Sequence, residues 1–283
     1  MPENGPARVP RWPADQPRDH RREGKTMELT ARQQQIKQDF ISIRGTWSDS
    51  WEAILSLSPE FLAGYLSMSS VPWKKNHLED KVKEFIYIAV DSAATHMYLP
   101  GVRQHVRAAL RFGATSAEIM EVVELASTLG VHAMNVGVPI LCEVLDETGA
   151  RPAKEPLTEY QERVKREFTE NRGYWNKTWD DTLELDPEYL EAYTEFSSAS
   201  WKYGPLEPKV KEFIYIAFDI AATHLYERGT KLHMENAFRY GATVEEILEV
   251  MEIASVIGIH AATTAAPIIL EEVAAFEAEM AAR

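Results

Sequence analysis

The sequence of 283 residues contains a single cysteine, Cys142. One thiol excludes a disulfide framework, and it also excludes any C-x-x-C redox or zinc motif. Basic residues are few as well, with 30 Lys and Arg against 44 Asp and Glu, and the formal net charge is −14. Because phosphate contacts need a basic face, this balance argues against nucleic acid as a partner.

Long apolar segments are also missing. No uninterrupted apolar run reaches the roughly 18 residues that a membrane span requires, and the N-terminus lacks the apolar core of a signal peptide. We therefore expect a cytoplasmic protein without a membrane partner. Residues 1–26 are rich in Pro, Arg, Asp and Gly. Such a segment buries too little apolar surface to offset the entropy of ordering, so we expect a disordered N-terminal arm.

One long unit occurs twice in the chain. A shift of 128 residues aligns the segment VKEFIYIA at 82–89 with the same segment at 210–217, and it also pairs Trp47 with Trp175. Self-similarity over this length indicates a duplicated domain. We assign repeat 1 to residues 27–148 and repeat 2 to residues 157–283. The segment 146–156, which contains Gly149 and Pro152, is expected to link them.

Each copy has the pattern of a helical domain. Residues 116–129 carry apolar side chains at the i, i+3, i+4, i+7 spacing of an amphipathic helix. Thr115 and Glu118 have the spacing of a capping box at the start of that helix, and Gly113 is placed to end the preceding one. Alternating strand patterns are absent. The sequence predicts an all-α fold of two tandem homologous helical domains.

Histidines are retained in register between the two copies. Six of the eight form three matched pairs: His96 with His224, His105 with His233, and His132 with His260. Histidine titrates near neutral pH and is costly to bury unpaired, so three pairs predict a shared functional pocket. The alternative interpretation is structural, with histidines that cap helices or bridge the halves across a pseudo-twofold axis.

Acidic side chains recur at the same shift. Glu84 and its match Glu212 each precede an apolar helical run, and helical spacing places Asp91 on the same face as Glu84. A carboxylate on a buried face is rare unless it is paired, and burial raises its pKa into the range useful for proton transfer. Glu121 and Glu249 also recur, and we expect them on a solvated helix face.

Three stretches of the sequence resemble those of a known protein family: KEFIYIA at 83–89, HVRAALRFGAT at 105–115 and GVHA at 130–133. Together they resemble the carboxymuconolactone decarboxylase and alkylhydroperoxidase D superfamily, and the second copy matches from 211 to 261. The resemblance implies an all-α, AhpD-like fold and a homo-oligomer. If the two repeats pack as neighbouring subunits do in single-domain relatives, the chain would form a trimer, with a dimer as the second expectation.

The resemblance also limits the chemistry. The family's peroxidase branch uses a glutamate, a C-x-x-C pair and a histidine as a proton relay. His96 stands where that branch has its first cysteine, and the loop contains no cysteine at all. Thiol peroxidase chemistry needs a thiolate nucleophile, so this activity is not expected. The decarboxylase branch needs neither cysteine nor cofactor.

That branch implies loss of CO2 from a small carboxylated lactone, followed by protonation of an enolate-like carbanion. His105 and His233 match the family's histidine, and Glu84 and Glu212 match its relay glutamate. We add His96, His132, His224 and His260 to the candidate catalytic set. Charge pairing with substrate carboxylates suggests four candidate clamps: Arg103, Arg111, Lys231 and Arg239.

Two other functions stay open. One is a metalloenzyme, since one carboxylate and three imidazoles per repeat are a sufficient ligand set for a divalent transition metal. The ligands would be Glu84, His96, His105 and His132 in repeat 1, and Glu212, His224, His233 and His260 in repeat 2. The other is a non-catalytic binding or scaffold protein whose histidines are structural.

Overall fold

The computed structural model describes residues 28–283, and within that range there are helices and connecting turns but no strands. The expected arm at 1–26 lies outside the described residues. Repeat 1 comprises α1 (Ala31–Arg44), α2 (Asp49–Leu57), α3 (Pro59–Ser69), α4 (Val71–Lys75), α5 (Asp80–Ser92), α6 (Leu99–Arg111), α7 (Ser116–Ser127) and α8 (His132–Thr148). Repeat 2 comprises α9 (Glu159–Arg172), α10 (Asp180–Leu185), α11 (Pro187–Tyr203), α12 (Pro208–Ile220), α13 (Glu227–Arg239), α14 (Val244–Ser255) and α15 (Ile259–Ala281). The all-α prediction is confirmed.

Local sequence signals set the helix ends. Thr115 caps α7 in a complete capping box with Glu118, and Gly113 has the left-handed φ of +84° that ends a helix without a Cβ clash. The linker starts later than expected, because α8 continues through Thr148 and ends at Gly149, with φ +66°. Arg151 then forms ion pairs with Asp181 and Glu184 of repeat 2 and with Asp146 of α8, so it connects the linker to both repeats.

The equivalent helices α5 and α12 form the centre of the molecule. Phe85 and Ile88 of α5 and Ile214 and Ile216 of α12 are each 0% exposed. α5 and α12 contact each other, and both large core clusters contain side chains from both repeats. The repeats therefore share one hydrophobic core, and neither buries its apolar helix alone.

The last helix of each repeat packs on the other repeat. α15 of repeat 2 lies against α2 of repeat 1, where Ile259 and Ala266 join the cluster around Trp51. Conversely, α8 of repeat 1 contacts α10 of repeat 2, and Val131 just before α8 packs in the cluster around Trp179. This reciprocal exchange decides which histidines meet.

Two buried ion pairs also cross between the repeats. Lys211 Nζ of α12 lies 2.7 Å from Glu121 Oε1 of α7, and Lys83 Nζ of α5 lies 3.6 Å from Glu249 Oε1 of α14. The backbone N–H of Leu206 donates to Glu121 Oε2 at 2.7 Å. Glu121 is 1% exposed and Glu249 is 0% exposed. The expectation of a solvated face was wrong, because both carboxylates neutralise buried lysines of the opposite repeat.

Two helical stretches, Ser116–Thr148 and Val244–Ala281, are long and apolar enough by composition alone to cross a membrane. Of their most apolar windows, 50% and 39% respectively is buried inside the protein. Each stretch also carries one of the buried carboxylates that bind a lysine of the other repeat. Their apolar character is thus at least partly explained by packing in the shared core.

Substitution of Glu121 by Ala tests the crossed ion pairs. The change leaves the Lys211 ammonium buried without its counter-charge, so the free energy of unfolding should fall by about 3–5 kcal/mol. Urea denaturation followed by circular dichroism measures it. Glu60→Ala is the matched control, since it removes the partner of Arg32 from an exposed ion pair and should have little effect. Similar shifts in both variants would contradict the structural role.

Candidate functional site

A glutamate–histidine pair forms the base of a polar site in each repeat. Glu84 lies on the buried face of α5, and its Oε2 is 2.6 Å from Nδ1 of His105 on α6. In repeat 2, Glu212 Oε2 is likewise 2.6 Å from His233 Nδ1. An Nδ1–H that donates to the carboxylate leaves Nε2 as the nitrogen that can exchange a proton. We call each pair a dyad.

An aromatic ring and a guanidinium support each dyad. The ring of Tyr215 stacks on His233 with centroids 4.3 Å apart, and Tyr87 stacks on His105 at the same distance. The hydroxyl of Tyr215 accepts a hydrogen bond of 3.4 Å from Arg172 Nη1. Arg44 contacts Tyr87 in the same way. The stacking fixes the plane of each imidazole and places a cation close to it.

A second carboxylate lies near the free nitrogen of each dyad histidine. Asp91 Oδ2 is 4.0 Å from His105 Nε2, and Asp219 Oδ2 is 4.0 Å from His233 Nε2. Asp91 is 1% exposed and Asp219 is 0% exposed. Desolvation by burial raises the pKa of Asp91 to about 7 and that of Asp219 to about 8.

The turn after α5 positions a further histidine. Met97 has a left-handed φ of +51°, and Leu225 in the equivalent turn has +52°. Non-glycine residues rarely adopt this region, and such backbone strain often marks functional sites. The N–H of Tyr98 donates to the carbonyl oxygen of Asp91 at 2.8 Å. This hydrogen bond brings the backbone of the turn back towards Asp91, so His96 lies beside the polar site.

The third histidine of each site comes from the other repeat. Nε2 of His96 lies 2.7 Å from Nδ1 of His260 on α15, and His224 Nε2 lies 2.6 Å from His132 Nδ1 on α8. The predicted four-ligand groups within single repeats are therefore corrected: His132 belongs with repeat 2 and His260 with repeat 1. The cause is the exchange of the last helices.

The chain thus contains two composite centres. We define the first centre as Glu84, Asp91, His96, His105 and His260, and the second centre as Glu212, Asp219, His224, His233 and His132. Desolvation by burial lowers the pKa of His132 and of His260 to about 3 in each case, with smaller contributions from neighbouring histidines. It also lowers the pKa values of His96 and His224. Burial thus disfavours the charged form of these imidazoles.

A cleft of about 630 Å³, counting the space at its open mouth, leads to the second centre. His132 and His233 line it together with two cations, Arg172 and Arg228. Pro100 occupies the position in repeat 1 that matches Arg228. Repeat 1 therefore has no counterpart of the Arg228 guanidinium.

The predicted clamps of repeat 2, Lys231 and Arg239, do not line this cleft. All four predicted clamps are exposed on α6 or α13: Arg103, Arg111, Lys231 and Arg239. The structure instead brings Arg172 to the second centre, and the equivalent Arg44 to the first through Tyr87.

Two pairs of residues were missing from the predicted set. Asp91 and Asp219 are identical under the 128-residue shift, as are Arg44 and Arg172. The repeat comparison that selected the histidines would also have selected these four. Spacing had placed Asp91 on the face of Glu84, but only the structure shows that its carboxylate lies among three imidazoles.

Substitution of Gly229 tests how tightly the second centre is packed. A Cβ at this position would lie 2.1 Å from Asp219 Oδ2 and 2.6 Å from the Tyr226 ring, so both side chains would have to move. We expect Gly229→Ala to lower the free energy of unfolding by about 1–3 kcal/mol. Gly137→Ala, inside α8 with no neighbour within 4 Å, should raise it by about 0.4–1 kcal/mol. Thermal and urea denaturation measure both, and a stabilised Gly229→Ala variant would contradict the geometry.

Comparison with known proteins agrees with the division of the chain into two repeats. The model of the Carboxymuconolactone decarboxylase family matches residues 59–141 and 187–272, one segment in each repeat. No curated protein matches the chain. A crystal structure at 1.70 Å resolution of a "putative gamma-carboxymuconolactone decarboxylase subunit" from Burkholderia xenovorans LB400 is similar, with 49% identity and a TM-score of 0.83. The match covers 85% of this chain and 97% of that one.

Proposed function

Because the chain belongs to the carboxymuconolactone decarboxylase family, we propose that it is a lyase that acts on a small carboxylated metabolite by His/Glu acid–base chemistry. The reaction class is decarboxylation or closely related lactone and enolate chemistry. The observation that carries the proposal is the buried dyad at 2.6 Å, present as Glu84–His105 and again as Glu212–His233. The solved relative is described as a decarboxylase subunit, which supports the same class.

The dyad suits the proton step of a decarboxylation. When the bond to the carboxylate carbon breaks, CO2 leaves and the electron pair remains on the adjacent carbon as an enolate. A protonated imidazole there stabilises the developing negative charge and delivers a proton from Nε2. Glu212 holds Nδ1 of His233 at 2.6 Å and so orients the imidazole with Nε2 away from the carboxylate. The neutral imidazole then regains a proton from water.

The cleft at the second centre suits an anionic substrate. Arg172 and Arg228 line it, and guanidinium groups pair with carboxylates in a bidentate manner. A net charge of −14 would repel such a substrate at long range, so local cations are needed at the entrance. These two arginines replace the exposed side chains that the sequence suggested as clamps.

Thiol peroxidase activity has no support in either centre. Cys142 is the single cysteine of the chain, and it is buried in α8 with 4% exposure. It is absent from the residues that form the two centres, and its position matches Leu270 in repeat 2. A thiol relay of the family's peroxidase type would need cysteines close to both dyads.

We also propose a location, a class of partner and an assembly state for the protein. The protein acts in the cytoplasm on a small molecule, and neither nucleic acid nor a membrane is a partner. It assembles as a homo-oligomer, for which a trimer is the first expectation and a dimer the second. Exposed apolar side chains on α15, such as Phe276 at 63% exposure, leave surface for such contacts. The word "subunit" in the description of the solved relative is compatible with assembly.

Substitution of both dyad histidines tests the function. With carboxymuconolactone as the first substrate, His105→Ala/His233→Ala should retain the fold and lose turnover by about 10²–10⁴-fold, as expected for removal of an acid/base group. Substrate loss and CO2 release are measured together. His77→Ala is the matched control, because His77 is exposed and lies outside both centres. A folded double variant with unchanged turnover would contradict the proposal, and binding without turnover in the wild type would favour a non-catalytic binding protein.

A further inference from the structure

The buried aspartates of the two centres lack the partners that such groups normally have. Neither carboxylate oxygen of Asp91 or of Asp219 accepts a hydrogen bond from any described residue. No lysine or arginine forms an ion pair with them in the described part of the chain, where their charged neighbours are histidines and the dyad glutamates. Buried carboxylates are normally paired, hydrogen-bonded or bound to a metal.

One imidazole of each centre lies close to the buried carboxylate, and a second imidazole lies against the first. His260 Nδ1 lies 3.6 Å from Asp91 Oδ1 and 2.7 Å from His96 Nε2. In the second centre, His132 Nε2 lies 3.7 Å from Asp219 Oδ1, and its Nδ1 lies 2.6 Å from His224 Nε2. In each group, one donor atom from every residue lies within 4.8 Å of the other two.

From this geometry we propose that each centre binds one divalent transition metal ion. The ligands of the first ion are Asp91, His96 and His260, and the ligands of the second are Asp219, His224 and His132. Two imidazoles and one carboxylate suit Zn²⁺ or Fe²⁺ and leave coordination positions for water or substrate. The ion would supply the positive charge that the buried aspartate lacks.

A hydrogen-bonded cluster without metal explains the arrangement less well. The two imidazoles can satisfy each other with one hydrogen bond, but both aspartate oxygens then remain without a donor in each centre. The same three residue types recur in both copies, although the helix that supplies the third ligand comes from the other repeat. Stacking of Tyr98 on His260, with centroids 3.8 Å apart, and of Tyr226 on His132, at 3.9 Å, holds the third ligand in place.

The proposal goes beyond the acid–base function and does not depend on it. It departs from the expectation of a cofactor-free site. Compared with the ligand sets that the sequence suggested, it keeps His96 and His224, exchanges His132 and His260 between the repeats, and replaces each dyad by a buried aspartate. The dyad histidines are not ligands here: His105 Nε2 faces Asp91 from 4.0 Å and keeps its hydrogen bond to Glu84. The dyad and the metal ligands would then act on neighbouring parts of one substrate.

Metal content is measured first on the full-length protein. We strip it with a chelator, reload it with Zn²⁺ or Co²⁺ alone, remove excess ion by desalting, and determine stoichiometry by inductively coupled plasma mass spectrometry. Two ions per chain are expected from the two ligand groups. For Co²⁺, visible d–d bands report on the ligand field. Failure of the wild-type protein to retain either ion overturns the proposal.

Variants separate metal ligation from a structural role. His260→Ala should leave one ion per chain and His132→Ala/His260→Ala none, with a loss of affinity above the 10–100-fold typical of an outer-shell partner. Asp91→Asn provides a near-isosteric second test of the first centre, should His260→Ala fail to fold. His77→Ala and His105→Ala should each retain two ions. These measurements report metal binding and not turnover. A protein that binds no metal but still turns over its substrate would contradict this proposal and leave the proposed acid–base function intact.

Discussion

The two centres depend on one constraint: the last helix of each repeat packs on the other repeat. α15 lies on α2 and α8 lies against α10, so each carries its histidine out of its own repeat. His260 therefore meets His96, and His132 meets His224. Neither repeat alone contains a complete centre. This provides a physical reason for duplication within one chain, because covalent linkage keeps both halves of each centre together at any protein concentration.

The shared core makes that exchange stable. α5 and α12 are buried on nearly all sides and contact each other, so their apolar faces form the centre of the interface. Buried ion pairs from Lys83 to Glu249 and from Lys211 to Glu121 cross the same interface and fix its register. Because Glu84 and Asp91 lie on the same helix α5, the interface that joins the repeats also sets the positions of these two carboxylates. Fold and site are therefore not separable in this protein.

Much of this architecture can be predicted from local patterns in the sequence. Helical periodicity and capping residues such as Thr115 predict the helices, the 128-residue shift predicts the duplication, and helical spacing places Asp91 on the face of Glu84. The sequence offered the crossing of His132 and His260 only as an alternative, in which histidines bridge the two halves, and the pattern could not decide for it. Similar repeats offer similar apolar faces, so a terminal helix can satisfy the same pattern on its own repeat or on the other. The repeat comparison could have selected Arg172 because it matches Arg44, but it could not place Arg172 in the cleft: His233 lies 61 residues further along the sequence, and tertiary packing brings the two together.

The central claim, that each centre is composed of both repeats, is tested most directly by a double-mutant cycle on stability. Urea denaturation of the chelator-treated protein gives the free energy of unfolding for the wild type, His96→Ala, His260→Ala and the double variant. Residues in contact are coupled by about 0.5–3 kcal/mol, whereas independent residues are additive within about 0.5 kcal/mol. We predict coupling for His96 with His260, which lie 2.7 Å apart, and additivity for His96 with His132, which share no contact. Coupling of His96 with His132 but not with His260 would contradict the exchange of helices on which both centres depend.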